Sequence, residues 1–123
     1  MGTDYYAGNE HWVNAGGDLT AAGPVFGYSV LARQYFDRYH LPMMLTETND
    51  LGIETGENWL WKEWADVREL ERSAVPIVGF TWYSILDQVD WDTALREDNG
   101  HINAVGLYDL ERKSDPRERH TRN

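Results

Sequence analysis

Three apolar runs, each too short for a helix, punctuate the chain: Met1-Gly2-Thr3-Asp4-Tyr5-Tyr6, Met43-Met44-Leu45-Thr46-Glu47 and Ile77-Val78-Gly79-Phe80-Thr81-Trp82-Tyr83-Ser84. Each leads into polar, turn-forming residues, the pattern of a buried strand followed by a loop. Between the first two runs the spacing predicts a helix over 24–39. Pro24 suits a first helical position, and Tyr28, Leu31, Tyr35 and Tyr39 recur at helical spacing beside Phe36 until Pro42 stops the pattern. A second helix is predicted over 57–73, with Leu60, Trp64, Val67 and Leu70 on its apolar face and Lys62, Glu63, Glu69 and Arg72 on its polar one, closed by Pro76.

The order strand, helix, strand, helix, strand implies an α/β fold with a parallel sheet. After Ser84 comes a polar loop, 87–103, whose Asn99-Gly100 pair signals a turn, and then a strand-like run, Val105-Gly106-Leu107-Tyr108-Asp109-Leu110. From Glu111 to Asn123 there is no apolar residue with which to pack a helix. Residues 1–110 are therefore expected to form one folded unit and 111–123 a disordered polar tail. A parallel sheet of about three strands leaves two edges open and one face poorly covered, so the chain reads as part of a larger domain. Met1 directly precedes a strand with no lead-in.

Composition narrows the function. With a net charge of -10 and a pI near 4.6, the chain would repel nucleic acid. No apolar run approaches the roughly 20 residues needed to cross a bilayer, and the first residues lack a signal-peptide pattern, so no membrane association and a cytoplasmic location are expected. The absence of cysteine removes disulfides and thiolate metal sites. The four histidines show no metal-ligand spacing, and the acidic group Asp90, Asp92, Glu97 and Asp98 lacks the regular spacing of a calcium loop, so neither metal nor cofactor is expected. Six Trp and seven Tyr are many for 123 residues. They serve either as core filler or as flat faces that stack on sugar rings.

In parallel α/β folds the chemistry gathers at the C-terminal ends of strands. The first strand presents Asp4 and Tyr6, followed by Asn9, Glu10, His11 and Trp12. The second ends in Glu47, flanked by Thr46, Thr48 and Asn49. The third ends in Trp82, Tyr83 and Ser84, followed by Asp87, Gln88, Asp90 and Trp91. Glu47 stands out, because a carboxylate closing so apolar a strand requires either hydrogen-bonding neighbours or a reaction to justify it.

These same segments resemble glycoside hydrolase family 1, the β-glucosidase family. The stretch from Val78 to Trp91, with Gly106-Leu107-Tyr108-Asp109 after it, is similar to the eighth strand and its loop. Pro42 to Asn49 is similar to the seventh strand, and Gly2-Thr3-Asp4-Tyr5-Tyr6 to the sixth. The resemblance covers most of residues 2–110 in the family's order. It implies a partial (β/α)8 barrel and a retaining O-glycoside hydrolase acting on β-glucosides or β-galactosides. Glu47 would be the nucleophile, and Tyr6 would donate a hydrogen bond to it. Asp90 and Trp91 would meet the sugar hydroxyls, Trp82 or Tyr83 would form the sugar's floor, and Asp4 and Asn49 would complete the subsite. A retaining enzyme needs two carboxyl groups about 5 to 5.5 Å apart. The family's second one, in an Asn-Glu-Pro context on the fourth strand, has no counterpart here, and Asn9-Glu10-His11 follows the wrong strand. The resemblance thus implies a missing N-terminal barrel portion, in the same or another chain, and an isolated chain inactive toward ordinary glycosides. The alternative is a carbohydrate-binding or half-barrel assembly module without catalysis.

Overall fold

A computed structural model describes residues 1–50 and 55–110. In chain order the elements are β1 (Gly2–Asp4), β2 (His11–Val13), β3 (Leu19–Ala21), helix α1 (Tyr28–Tyr39), β4 (Met43–Thr48), helix α2 (Gly56–Arg72), β5 (Ile77–Trp82), β6 (Gln88–Val89) and β7 (Ile102–Asn103). The expected polar tail, 111–123, lies outside the described residues. The most apolar strand, β4, is central, with β1 and β5 parallel on either side, so the parallel three-stranded sheet with two intervening helices is the one read from the sequence.

Alternation along β4 separates two faces. Met43 and Leu45 have no solvent exposure and pack with Tyr28 and Ala32 of α1, Trp59, Val67 and Leu70 of α2, and Tyr5 and Val75. Burying Leu45 alone stabilises by about 1.5–3 kcal/mol. Met44 and Thr46 lie on the other face, across their neighbours' glycines. A Cβ on Gly79 would stand 3.0 Å from the Met44 side chain, and one on Gly2 would stand 2.6 Å from Thr46 Cγ2. Glycine at both positions permits that close approach. Both helices join the Met43 and Leu45 face, while Val78 of β5 is 67% exposed.

The first helix begins later than expected, at Tyr28 and not Pro24. Gly27, at φ 86°, caps it in a conformation only glycine adopts without strain, and the amides before it turn to a different acceptor, Glu10. The C-terminus is closed by His40 in the left-handed region, its N–H donating to Phe36 O at 2.7 Å.

The second helix is found where expected but rotated. Its buried residues are Trp59, Glu63, Val67 and Leu70, while Trp64, expected inside, is 44% exposed. The rotation is set by Trp59, whose ring stacks on Tyr5 at 5.9 Å and whose Nε1 donates to Thr48 Oγ1 at 2.8 Å. Four residues on, the same face carries Glu63 inward. Trp64 packs edge-on against Phe80 at 5.8 Å.

Two antiparallel hairpins replace segments read as loop or strand. β2 and β3 pair after the 3-10 turn Ala7–Asn9, joined by a turn in which Asn14 Oδ1 accepts the amides of Gly16 and Asp18 at 2.8 and 2.9 Å. Every residue of both strands is exposed, so no inside-outside alternation announced them. β6 pairs with β7, whereas the expected strand 105–110 makes only a single bridge, Leu86 to Tyr108. Asp87 explains that difference: it is buried and gathers the amides of Gly106 and Leu110 at 2.9 and 3.1 Å, curling the segment around a carboxylate.

Candidate active site

The C-terminal ends of β1 and β4 meet side by side. Asp4 is in register with Glu47 beyond a bulge, and the Tyr5 N–H donates to Glu47 O at 3.0 Å. That step carries the next residue, Tyr6, over the strand end, where its hydroxyl donates to Glu47 Oε1. Burial, then the hydrogen bond and charge of Glu47, with Asp4 and Tyr83 nearby, push the Tyr6 phenol well above its ordinary range. Tyr6 therefore stays a donor at any physiological pH and holds the half-buried carboxylate in one orientation. Asp4, on the exposed side, has its Oδ1 engaged by Thr46 Oγ1 at 2.7 Å. Among the described residues no Lys, Arg or His forms an ion pair with Asp4 or Glu47.

The end of β5 supplies an aromatic wall. Tyr83 leans on Trp91, the ring centroids 6.0 Å apart at 45°. Trp91 is 47% exposed, and its amide is held by Asn103 Oδ1 at 2.8 Å. Trp82 points elsewhere: it packs against the apolar core, and its buried Nε1 has no hydrogen-bond partner among the described residues. The peptide bond between Tyr83 and Ser84 is cis.

The remaining two sequence candidates use their side chains on backbone. Asn49 is buried and its Nδ2 donates to Val105 O at 2.9 Å. Asp90, also buried, accepts His101 N at 2.7 Å and Gly100 N at 2.9 Å, closing the loop that carries Trp91. Glu47, Tyr6, Asp4, Tyr83 and Trp91 are thus displayed around the ends of the sheet, while Asn49 and Asp90 act as fasteners beneath them.

Sequence reading placed Glu10 in the loop after the first strand but missed its structural role. Glu10 is buried, and it accepts the Tyr5 hydroxyl at 2.5 Å and the amides of Val25, Phe26 and Gly27 at 2.9, 2.9 and 3.0 Å. Burial alone would raise its pKa, but the Tyr5 hydroxyl and the three amides more than offset this and hold it below the usual carboxylate range. A carboxylate so held carries no proton to give, so Glu10 is no substitute for the acid. The available signal was the stretch Val25 to Gly27, three amides that need an acceptor before the helix begins. Among the described residues no group of three or more metal-binding side chains gathers, and no helix is long and apolar enough to cross a membrane.

No protein-family model matches this chain, and no curated protein sequence matches it. Solved structures do. A β-glucosidase from Exiguobacterium marinum superposes with a TM-score of 0.64 at 16% identity, over 96% of this chain and 31% of that one. A hyperthermophilic β-glucosidase mutant, solved as a monomer structure of a form that is dodecameric in the crystal, matches with a TM-score of 0.55 at 20% identity, over 76% of this chain and 19% of that one. The chain therefore spans less than a third of the length of either. Likeness at these identities shows the fold alone, an α/β arrangement similar to part of these two structures.

Proposed function

We propose that this chain is the sixth-to-eighth-strand portion of a retaining β-glycosidase of glycoside hydrolase family 1, with Glu47 as nucleophile. The observation that carries the reading is the Tyr6 hydroxyl donating to Glu47 where two parallel strands end, beside the Tyr83 and Trp91 pair. In the reaction, a Glu47 oxygen attacks the anomeric carbon as the bond to the leaving oxygen breaks, and water later hydrolyses the glycosyl ester. Tyr6 keeps the attacking carboxylate aimed. Tyr83 is favoured over Trp82 as the sugar's floor, because Trp82 is packed against the core. Asp4 reads hydroxyls from the exposed side, while Asn49 and Asp90 support the subsite through the backbone they hold.

The leaving oxygen takes its proton from a residue in an N-terminal barrel portion, on the same or another chain. General-acid help is worth about 10² to 10⁴ in rate, so these 123 residues alone are inactive toward ordinary glycosides. The test uses the completed barrel and a 2-deoxy-2-fluoro-β-glucoside with a dinitrophenolate leaving group, which departs without a proton. Mass spectrometry of the digested protein is expected to find the fluorosugar esterified to Glu47, and to find none in the Glu47→Gln variant. Sugar binding without any adduct would sink the catalytic reading and leave a carbohydrate-binding module.

A further inference from the structure

Asn99-Gly100 is the one Asn-Gly pair in the sequence, and it sits at the returning end of the loop that displays Trp91, just before β7. Asn99 is exposed, and Gly100 has φ 63°, the left-handed turn geometry that suits this dipeptide. Asn-Gly is also the dipeptide most open to backbone attack, because glycine offers no side chain to hinder it. The Gly100 nitrogen loses its proton and attacks Asn99 Cγ, and ammonia leaves. The resulting succinimide is then opened by water to aspartate or isoaspartate.

Both reacting groups are held by carboxylates in the folded loop. The Gly100 N–H, whose proton must be lost, donates to Asp90 Oδ2 at 2.9 Å. The leaving amide of Asn99 donates through Nδ2 to Glu97 Oε2 at 3.1 Å. Asp90 is 6% exposed and is fixed by a second hydrogen bond, from His101 N at 2.7 Å. Ionising the Gly100 nitrogen would set a new anion against a buried one, which the low local dielectric makes costly.

We infer that Asn99 is a latent modification site, in which backbone-assisted deamidation is restrained by Asp90 and, once it occurs, loosens the loop that holds Trp91 beside Tyr83. An isoaspartyl link inserts an extra methylene into the main chain at residue 99. The Gly100 and His101 amides then lose their register with Asp90, the residue directly before Trp91. Asp90 is here the restraint on a chemical step in the protein itself, a role separate from any sugar contact.

The 123-residue chain is incubated at neutral pH, folded and in urea, and isoaspartate at residue 99 is followed by peptide mapping. The folded chain is expected to react at least about tenfold more slowly than the unfolded one, the rate equivalent of one hydrogen bond to a charged acceptor. Asp90→Asn is expected to recover most of that difference. Asn103→Ala, which frees the Trp91 amide but not that of Gly100, is expected to recover little. Equal rates in folded and unfolded chains, or an unchanged rate in a folded Asp90→Asn variant, would overturn the proposal. Should Asp90→Asn fail to fold, hydrogen exchange of the Gly100 amide in the unaltered chain decides: protection supports the restraint, and free exchange refutes it.

Discussion

Glu10, in the loop after β1, and Glu63, in the middle of α2, are both buried carboxylates close enough to feel each other's charge. Glu10 has four donors: a phenol and three successive amides. Glu63 has one, the Lys62 ammonium at 3.3 Å, which also serves Asp66 at 3.1 Å, and its Oε2 has no partner among the described residues. Burial dominates at Glu63 and pushes it up to about 7, against the pull of Lys62, whereas the donors win at Glu10 and hold it down. Depth alone does not set the protonation state of a buried acid. The number of dipoles aimed at it does.

The largest expected effect is at Glu10. Glu10→Ala strands the Tyr5 hydroxyl and three amides, and should lower the unfolding free energy by about 3–5 kcal/mol in urea titrations. A loss below about 1 kcal/mol would mean that water replaces the carboxylate and would break the contrast.

Glu63 should behave in the opposite sense. Its folded pKa lies above its unfolded one, so its contribution is complete below the ordinary carboxylate range and is lost as pH rises through about 7. Urea melts of the unaltered chain should show this loss between pH 5 and 8, on the order of 1–2 kcal/mol, and Glu63→Gln should flatten it. Glu10, with a lowered pKa, contributes above the ordinary range and loses its contribution as pH falls through its folded value. Glu63→Leu should be neutral or stabilising at pH 8, because an apolar side chain suits the core better than an underpartnered anion.

A smaller change, about 1 kcal/mol, is expected for Trp59→Phe, which keeps the stack on Tyr5 and removes the hydrogen bond to Thr48. Thermal denaturation measures it. If the rotation of α2 depends on that bond, the fluorescence of Trp64 should shift as well. The smallest effect belongs to Asp92, whose 2.9 Å pair with His101 lies on the surface. Asp92→Asn should leave stability unchanged within the error of the same melts.

Much of the architecture was legible because β4 and β5 are continuous apolar runs and both helices carry helical spacing. The hairpin β2–β3 was not, since all its side chains face solvent and alternation carries no signal without a buried face. The run expected as a strand at 105–110 keeps one bridge and backbone bonds from Leu107 and Tyr108 to 84–85, while Asp87, distant in sequence, takes the amides of Gly106 and Leu110. That Glu47 and Tyr6 stand at strand ends could be read in advance. That Tyr83 pairs with Trp91 while Trp82 turns to the core could not, because neighbouring residues on a strand differ only in which face they meet.

The amino-acid sequence by itself determined the order of the three parallel strands and the two helices, the acidic character and the chemical types gathered at the strand ends. These depend on local periodicity and composition, which each segment carries alone. Tertiary structure decided which acids are anchors and which is displayed. Glu10, Asp87 and Asp90 became fasteners because backbone amides far away in the chain converge on them, and Glu47 became accessible because a single phenol, Tyr6, from the neighbouring strand orients it without burying it. The fate of a carboxylate depends on the dipoles around it, and those are brought together only by the fold.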